Sequence, residues 1–107
     1  MATVAEFFDQ VAAKVDKSKI AGMNAVYQFN ITEEGGGEWN VKIADGDLAV
    51  APGKAENPSI VLTMKATDFL DLIAGKLNGQ TAFLTGKLKI QGDMTLAMKL
   101  QSVFALG

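Results

Sequence analysis

The sequence predicts an α+β domain of two layers, in which helices cover one face of a five-stranded, mostly antiparallel sheet. Apolar residues recur every three or four positions in four segments, as in helices, and at every second position in five others, as in strands. Each alternating segment has a single apolar face, so helices are needed on one side of the sheet only. The 107 residues, of which 49% are hydrophobic, suit one domain over residues 1–107.

The first predicted helix covers about residues 4–17. Thr3 and Glu6 have the arrangement of a capping box, in which the threonine side chain caps the helix and the glutamate reaches back. The residues that follow have the spacing of an amphipathic helix, with polar residues on its other faces. Its apolar stripe consists of Val4, Phe7, Phe8, Val11 and Val15.

Three predicted strands follow from residue 25 to about residue 50, and a fourth covers residues 60–65. Glycines at 35–37 and the pair Asp45-Gly46 are typical of hairpin turns, so the first three strands should form an antiparallel meander. Residues 52–58, with a proline at each end, are predicted as a loop. The inward faces of these four strands are Tyr27, Phe29, Ile31, Trp39, Val41, Ile43, Leu48, Val50, Ile60, Leu62 and Met64.

The remaining elements are three helices and a fifth strand. A helix capped at Thr67-Asp68 should stop at Gly75-Lys76, and a short helical turn should begin at Asn78 and stop at Gly86. Residues 87–91 alternate strictly, with Leu88 and Ile90 facing inward, and therefore form the fifth strand. Gly92-Asp93 precedes the last helix, which runs from Met94 to about Phe104.

The last helix is apolar on two stripes, so the single face of a sheet cannot cover it. The sequence leaves five ways open to cover the second stripe. The helix could lie between the sheet and the first helix, or the stripe could be covered by another helix, a bound apolar ligand, a membrane or another subunit. Methionines at 94 and 98 are common gap-filling core residues, and they also suit a site that adapts to different apolar ligands.

The chain contains no His, Cys or Arg, which excludes several classes of site. Ser-His-Asp triads, cysteine nucleophiles, disulfides and zinc sites built from Cys and His are all impossible. The candidate pairs of acidic residues, 33/34, 45/47 and 68/71, fall in turns or in a first helical turn, where solvent and the helix dipole account for them. We therefore expect no enzyme activity, no metal and no cofactor.

Charge is distributed unevenly, although the net charge is only −2. Residues 1–59 hold 5 Lys and 9 acidic residues, a net of −4, whereas residues 60–107 hold 5 Lys and 3 acidic residues, a net of +2. The mild overall acidity argues against a nucleic-acid partner. No secretory leader, membrane-spanning run or C-terminal peroxisomal tripeptide is recognisable, so we expect a cytoplasmic protein.

The second half of the chain resembles the sterol carrier protein type 2 family. The likeness is dense over residues 60–104, and the order of the predicted elements agrees over the rest of the chain. Gly79 and Asp93 depart from the family pattern, which has Pro and Asn there. The resemblance is carried by Asp68-Phe69, Gly75-Lys76, Asn78-Gly79-Gln80, Ala82-Phe83, Gly86-Lys87-Leu88-Lys89 and Lys99-Leu100-Gln101.

This resemblance implies a non-enzymatic carrier with an apolar tunnel between sheet and helices. Its ligands would be long-chain fatty acids, fatty acyl-CoA or sterol-like lipids, and it could make transient contact with anionic membranes. By position in the family pattern, Trp39, Gln80 and Gln101 would border the tunnel. Other expected ligand contacts are Phe69, Ile73, Phe83, Met94 and Met98. The expected head-group or membrane contacts are Lys76, Lys87, Lys89 and Lys99.

The alternative is an interaction or accessory domain. In that case the apolar last helix would pack on a partner enzyme or on a second subunit.

Overall fold

The computed structural model describes residues 3–104, apart from the side chains of residues 100–102 and 104. It has the predicted α+β architecture, with a short 3₁₀ turn at Lys17–Lys19 after the first helix. In chain order the elements are α1 (Val4–Lys14), β1 (Ala25–Thr32), β2 (Gly37–Ala44), β3 (Asp47–Pro52), β4 (Ile60–Lys65), α2 (Ala66–Ile73), α3 (Gly79–Leu84), β5 (Leu88–Gly92) and α4 (Met94–Phe104).

The five strands form one mixed sheet in the order β3-β2-β1-β4-β5. The predicted meander of β1, β2 and β3 is confirmed, and β5 pairs antiparallel with β4. The remaining pair, β1 and β4, is parallel, and it places Phe29 opposite Leu62. β4 and β5 extend the sheet beyond β1, and the edge strand β5 contacts α3 and α4.

Helices pack on one face of the sheet, around a cluster of aromatic rings. Phe8 of α1 stacks on Trp39 of β2 at 4.6 Å between ring centroids, and on Phe69 of α2 at 5.6 Å. Phe29 of β1 meets the Phe8 ring edge-on at 5.1 Å. These rings fill the space between the two layers beneath α1 and α2, so this part of the interface is a packed core.

The opposite face of the sheet carries a polar cluster that alternation did not predict. Gln28 and Asn40 are buried there, with 3% and 6% of their surface exposed. The segment 53–59, which connects β3 to β4, crosses over them and supplies their partners. Gln28 Oε1 accepts a hydrogen bond from the Ala55 amide at 2.8 Å, and the Gly53 carbonyl accepts bonds from the side-chain amides of both Gln28 and Asn40.

Two predicted helix boundaries were wrong, each for a local reason. α1 ends at Lys14 rather than near residue 17, because the Asp16 carboxylate accepts hydrogen bonds from the amide and hydroxyl of Ser18 and so favours a turn. α2 begins at Ala66 without a side-chain cap, rather than at Thr67-Asp68. Lys65 still pairs with Thr32 in the sheet, so the helix starts directly where β4 ends.

Within residues 3–104, none of the helices has the length and apolar character that crossing a lipid bilayer would require.

Candidate functional site

An open apolar groove of about 360 Å³ lies between α3, β5 and the first half of α4. Seven of its eight lining residues are apolar or glycine, and Gln80 is the exception. Such a surface can hold an apolar molecule, with one amide available for a polar group. The lining consists of Gly79, Gln80, Phe83, Leu88, Ile90, Met94, Ala97 and Met98.

The short helix α3 forms one wall because its two ends are well defined. The Asn78 side chain caps the helix by accepting hydrogen bonds from the amides of Gln80 and Thr81, at the residue where a helical turn was predicted to begin. Ala82 is fully buried, and its carbonyl accepts a hydrogen bond from the Lys87 amide at 2.8 Å, which ties α3 to the start of β5. With Ala82 inward, Phe83 is left at the groove with 42% of its surface exposed.

Gly92 determines how the chain passes from β5 into α4. Its φ of +112° is one that residues with a side chain rarely adopt, and a Cβ atom there would lie 2.5 Å from the Ser59 carbonyl oxygen. The next residue, Asp93, donates its amide to that same oxygen at 3.0 Å and caps α4 by accepting from the Thr95 amide at 2.9 Å. This close turn holds the beginning of α4 beside β5 and thereby makes the second wall.

The structure shows which sides of α4 are covered within the described chain. One side packs on β4 and β5, with Val103 buried and Leu96 and Ala97 half-buried. Met94 and Met98 project at the groove, and 82% of the Met98 surface is exposed. The sheet is therefore one partner of this apolar helix, and the groove lies where a second partner would bind.

Tyr27 anchors α4 from the middle of the sheet. Its fully buried hydroxyl donates a hydrogen bond to the Leu96 carbonyl oxygen at 2.8 Å. Burial, and to a smaller extent the negative charge of Asp93, together raise the pKa of Tyr27 to about 12. The neutral phenol is thus the form that the folded protein stabilises.

We expect Tyr27→Phe to lower the free energy of unfolding by about 1 kcal/mol at pH 7, through loss of this hydrogen bond. The pKa of Tyr27 is about 12 when folded and about 10 when unfolded. The contribution of the Tyr27 hydroxyl to the free energy of unfolding is therefore present in full below pH 10, and it is lost as the pH rises towards 12. The stability order of the two proteins should reverse near pH 11, as measured by urea unfolding at pH 7 and at pH 11.5. A wild type that is still the more stable at pH 11.5 would contradict this assignment.

The structure brings four of the predicted contact residues together at the groove: Gln80, Phe83, Met94 and Met98. Phe69 is instead buried in the aromatic core, where it borders a separate void of about 10 Å³, and Ile73 is half-buried against the same core. Trp39 lies on β2 against Phe8, outside the lining of the groove. The side chain of Gln101 is outside the described part of the structure.

Leu88, Ile90, Gly79 and Ala97 line the groove but were not predicted as ligand contacts. Leu88 and Ile90 were predicted to face inward, which is correct for both. Their place at the groove depends on β5 being the edge strand, and alternation within one strand carries no information on strand order.

Exposed apolar side chains are concentrated on the two helices that form walls of the groove. In the described part of the chain, the large hydrophobic side chains that are exposed all belong to α3 and α4: Phe83, Leu84, Met94 and Met98. All four lysines predicted to contact a head group or a membrane are exposed. Lys76 precedes α3, Lys87 and Lys89 lie between α3 and α4, and Lys99 lies within α4.

Comparison with known proteins identifies relatives of this chain. A family model described as the SCP-2 sterol transfer family matches residues 4–105. The chain is 32% identical over 99 residues to hydroxysteroid dehydrogenase-like protein 2 of Xenopus tropicalis, a match that covers 92% of this chain and 24% of that protein. The curated relatives are much longer, since the matches cover between 16% and 25% of their length.

Two solved structures are similar over nearly the whole chain. Sterol carrier protein domain 2 of Helicoverpa armigera is 34% identical with a TM-score of 0.77, covering 92% of this chain and 82% of that one. Palmitated SCP2L2 from Aedes aegypti is 28% identical with a TM-score of 0.75, covering 92% and 91% of the two chains.

Proposed function

The chain belongs to the SCP-2 sterol transfer family, and we propose that it binds single lipid molecules in the groove and transfers them, without catalysing a reaction. The observation that carries the proposal is the apolar groove of about 360 Å³ between α3, β5 and α4. Its volume lies near the lower end of small-molecule sites, which are roughly 300–1,000 Å³. The groove thus suits one apolar tail better than two.

The lining favours recognition by shape and hydrophobicity. Met94 and Met98 are unbranched and can repack around tails of different shape, and Gln80 supplies one amide for a polar group. Fatty acids and fatty acyl-CoA are therefore our first choice of ligand, with sterol-like lipids second. The description of the Aedes aegypti relative as palmitated supports the fatty acid.

A lipid head group would lie at the mouth of the groove and would not be bound by a bidentate arginine. The sequence has no arginine, so a carboxylate or phosphate would meet lysine, backbone amides or water. Lys87, just before β5, and Lys89, within it, stand on either side of inward-facing Leu88, and both are exposed. Affinity should therefore depend more on the length of the tail than on the type of head group.

Transfer requires that the groove open towards a membrane, and its rim has the composition for such contact. Leu84 is 73% exposed at the end of α3, and Lys87 follows three residues later. Exposed apolar side chains next to lysines can insert into the surface of an anionic bilayer. We propose that the protein docks by this rim and exchanges lipid there.

A second candidate function is that of an accessory domain. This chain matches about a quarter of the length of a hydroxysteroid dehydrogenase-like relative, so a domain of this kind also occurs within longer proteins. In this alternative, the exposed side of α4 packs on a partner enzyme or a second subunit. Light scattering after size exclusion, with and without fatty acid, would detect self-association through that surface.

Thermal unfolding with and without lipid tests the proposed function. At a free ligand concentration one hundred times Kd, binding adds about 2.7 kcal/mol to the free energy of unfolding. For a domain of this size, the melting temperature should then rise by roughly 10 °C or more with palmitate or palmitoyl-CoA. Native mass spectrometry of the freshly purified protein should show a bound lipid. The proposal fails if no lipid co-purifies and the melting temperature of delipidated protein does not change.

A further inference from the structure

Leu88 separates the open groove from a second, much smaller space inside the protein. Its side chain lines the 360 Å³ groove, and it also lines the void of about 10 Å³ beneath α2. Leu88 is the one residue that the two linings share. It is only 4% exposed, although it belongs to the edge strand, because α3 and α4 lie over this face of β5.

The inner void is apolar on every side. A water molecule needs at least about 10–15 Å³ and two or more polar partners, and the void offers neither surplus space nor a polar side chain. Its walls belong to the centre of the core, including Phe29, Leu62 and Phe69. An apolar tail that passed Leu88 would therefore enter a dry apolar region.

We propose that Leu88 is the residue that determines how long an apolar tail the groove accepts, because its side chain forms the inner wall where the tail must stop. This inference rests on the proposed function, since it takes lipid in the groove as given. Shortening Leu88 to alanine removes three carbons from the wall and joins the groove to the inner void. Shortening it to valine removes one carbon and should open the wall less.

A series of saturated fatty acids from 8 to 20 carbons, used below their micelle concentrations, tests the inference. Each additional buried methylene should tighten binding about four-fold, until the tail reaches the wall and the gain stops. In Leu88→Ala, we expect affinity to keep rising for about two to three carbons beyond the wild-type limit. In Leu88→Val the limit should move by about one carbon, and this milder variant decides the matter if Leu88→Ala does not fold.

Two matched variants exclude a general effect of loosening the core. Leu48→Ala removes the same three carbons from a buried leucine of β3 that lines neither space, and Leu62→Ala enlarges the void without touching the groove. Neither should move the chain-length limit. If the wild type shows a limit that the Leu88 variants do not move, the inference is wrong and the proposed function stands. If the wild type binds no fatty acid of any length, the proposed function fails and this inference falls with it.

Discussion

Replacing Ala97 with tryptophan is expected to lower the affinity for fatty acid at least 100-fold while the protein stays folded. Ala97 lines the groove from α4 and is half-buried, so a large side chain there occupies the space proposed for the tail. A 100-fold loss corresponds to about 2.7 kcal/mol. At about 0.8 kcal/mol per buried methylene, displacing only three or four methylenes from the groove accounts for it.

The matched control is Ala13→Trp, which makes the same substitution at an exposed position of α1. It should leave both affinity and stability close to wild type. Titration calorimetry with palmitate measures the affinity, and urea unfolding shows that both variants are folded. A folded Ala97→Trp protein that binds palmitate as tightly as the wild type would place the lipid elsewhere, and the groove would lose its proposed role.

Much of the fold could be predicted because it depends on local patterns. The alternation of apolar residues was sufficient to predict the five strands and their inward faces. Glycine and asparagine at the ends of the helical segments were sufficient to locate α3 and α4. These signals act over a few residues, so one sequence contains them. The two boundaries that were wrong were decided where two local signals overlap: the turn at Asp16 ends α1 early, and α2 begins directly after Lys65, the last residue of β4.

The site was less predictable because it depends on which elements become neighbours. Phe83, Met94 and Met98 are on helices that the sequence located correctly, and the structure places them at one groove. Trp39 has the same inward orientation as Phe29, yet α1 lies over it and Phe8 stacks on its ring. Periodicity predicts that a side chain faces the core, but it does not predict which helix covers that part of the sheet.

Periodicity also failed to predict the buried polar residues on the opposite face of the sheet. Gln28 alternates with Tyr27 and Phe29 and was therefore expected among solvent-facing residues. Its burial follows from the parallel pairing of β1 with β4, because the connection from the edge strand β3 must then cross β2 and β1 to reach β4. The amides of that connection need partners near the sheet surface, and a glutamine provides both a donor and an acceptor.

We expect Gln28→Leu to lower the free energy of unfolding by about 2 kcal/mol. The substitution removes the acceptor of the Ala55 amide and a donor to the Gly53 carbonyl, and it also removes the bond to Asn30. Each net hydrogen bond contributes about 1 kcal/mol, and burial of the leucine side chain offsets part of the total. Urea unfolding measures the change, and amide hydrogen exchange at Ala55 should become faster.

Gln91→Leu is the matched control, because it makes the same change on an exposed position of β5. Its stability should stay within about 0.5 kcal/mol of wild type. Asn40→Ala should cost less than Gln28→Leu, about 1 kcal/mol, since Gln28 still donates to the Gly53 carbonyl when Asn40 is removed. If Gln28→Leu costs no more than Gln91→Leu, the connection over the sheet does not depend on the buried amide. The crossing would then be held chiefly by the backbone bonds from Gly53 to Glu38 and from Ser59 to Val26.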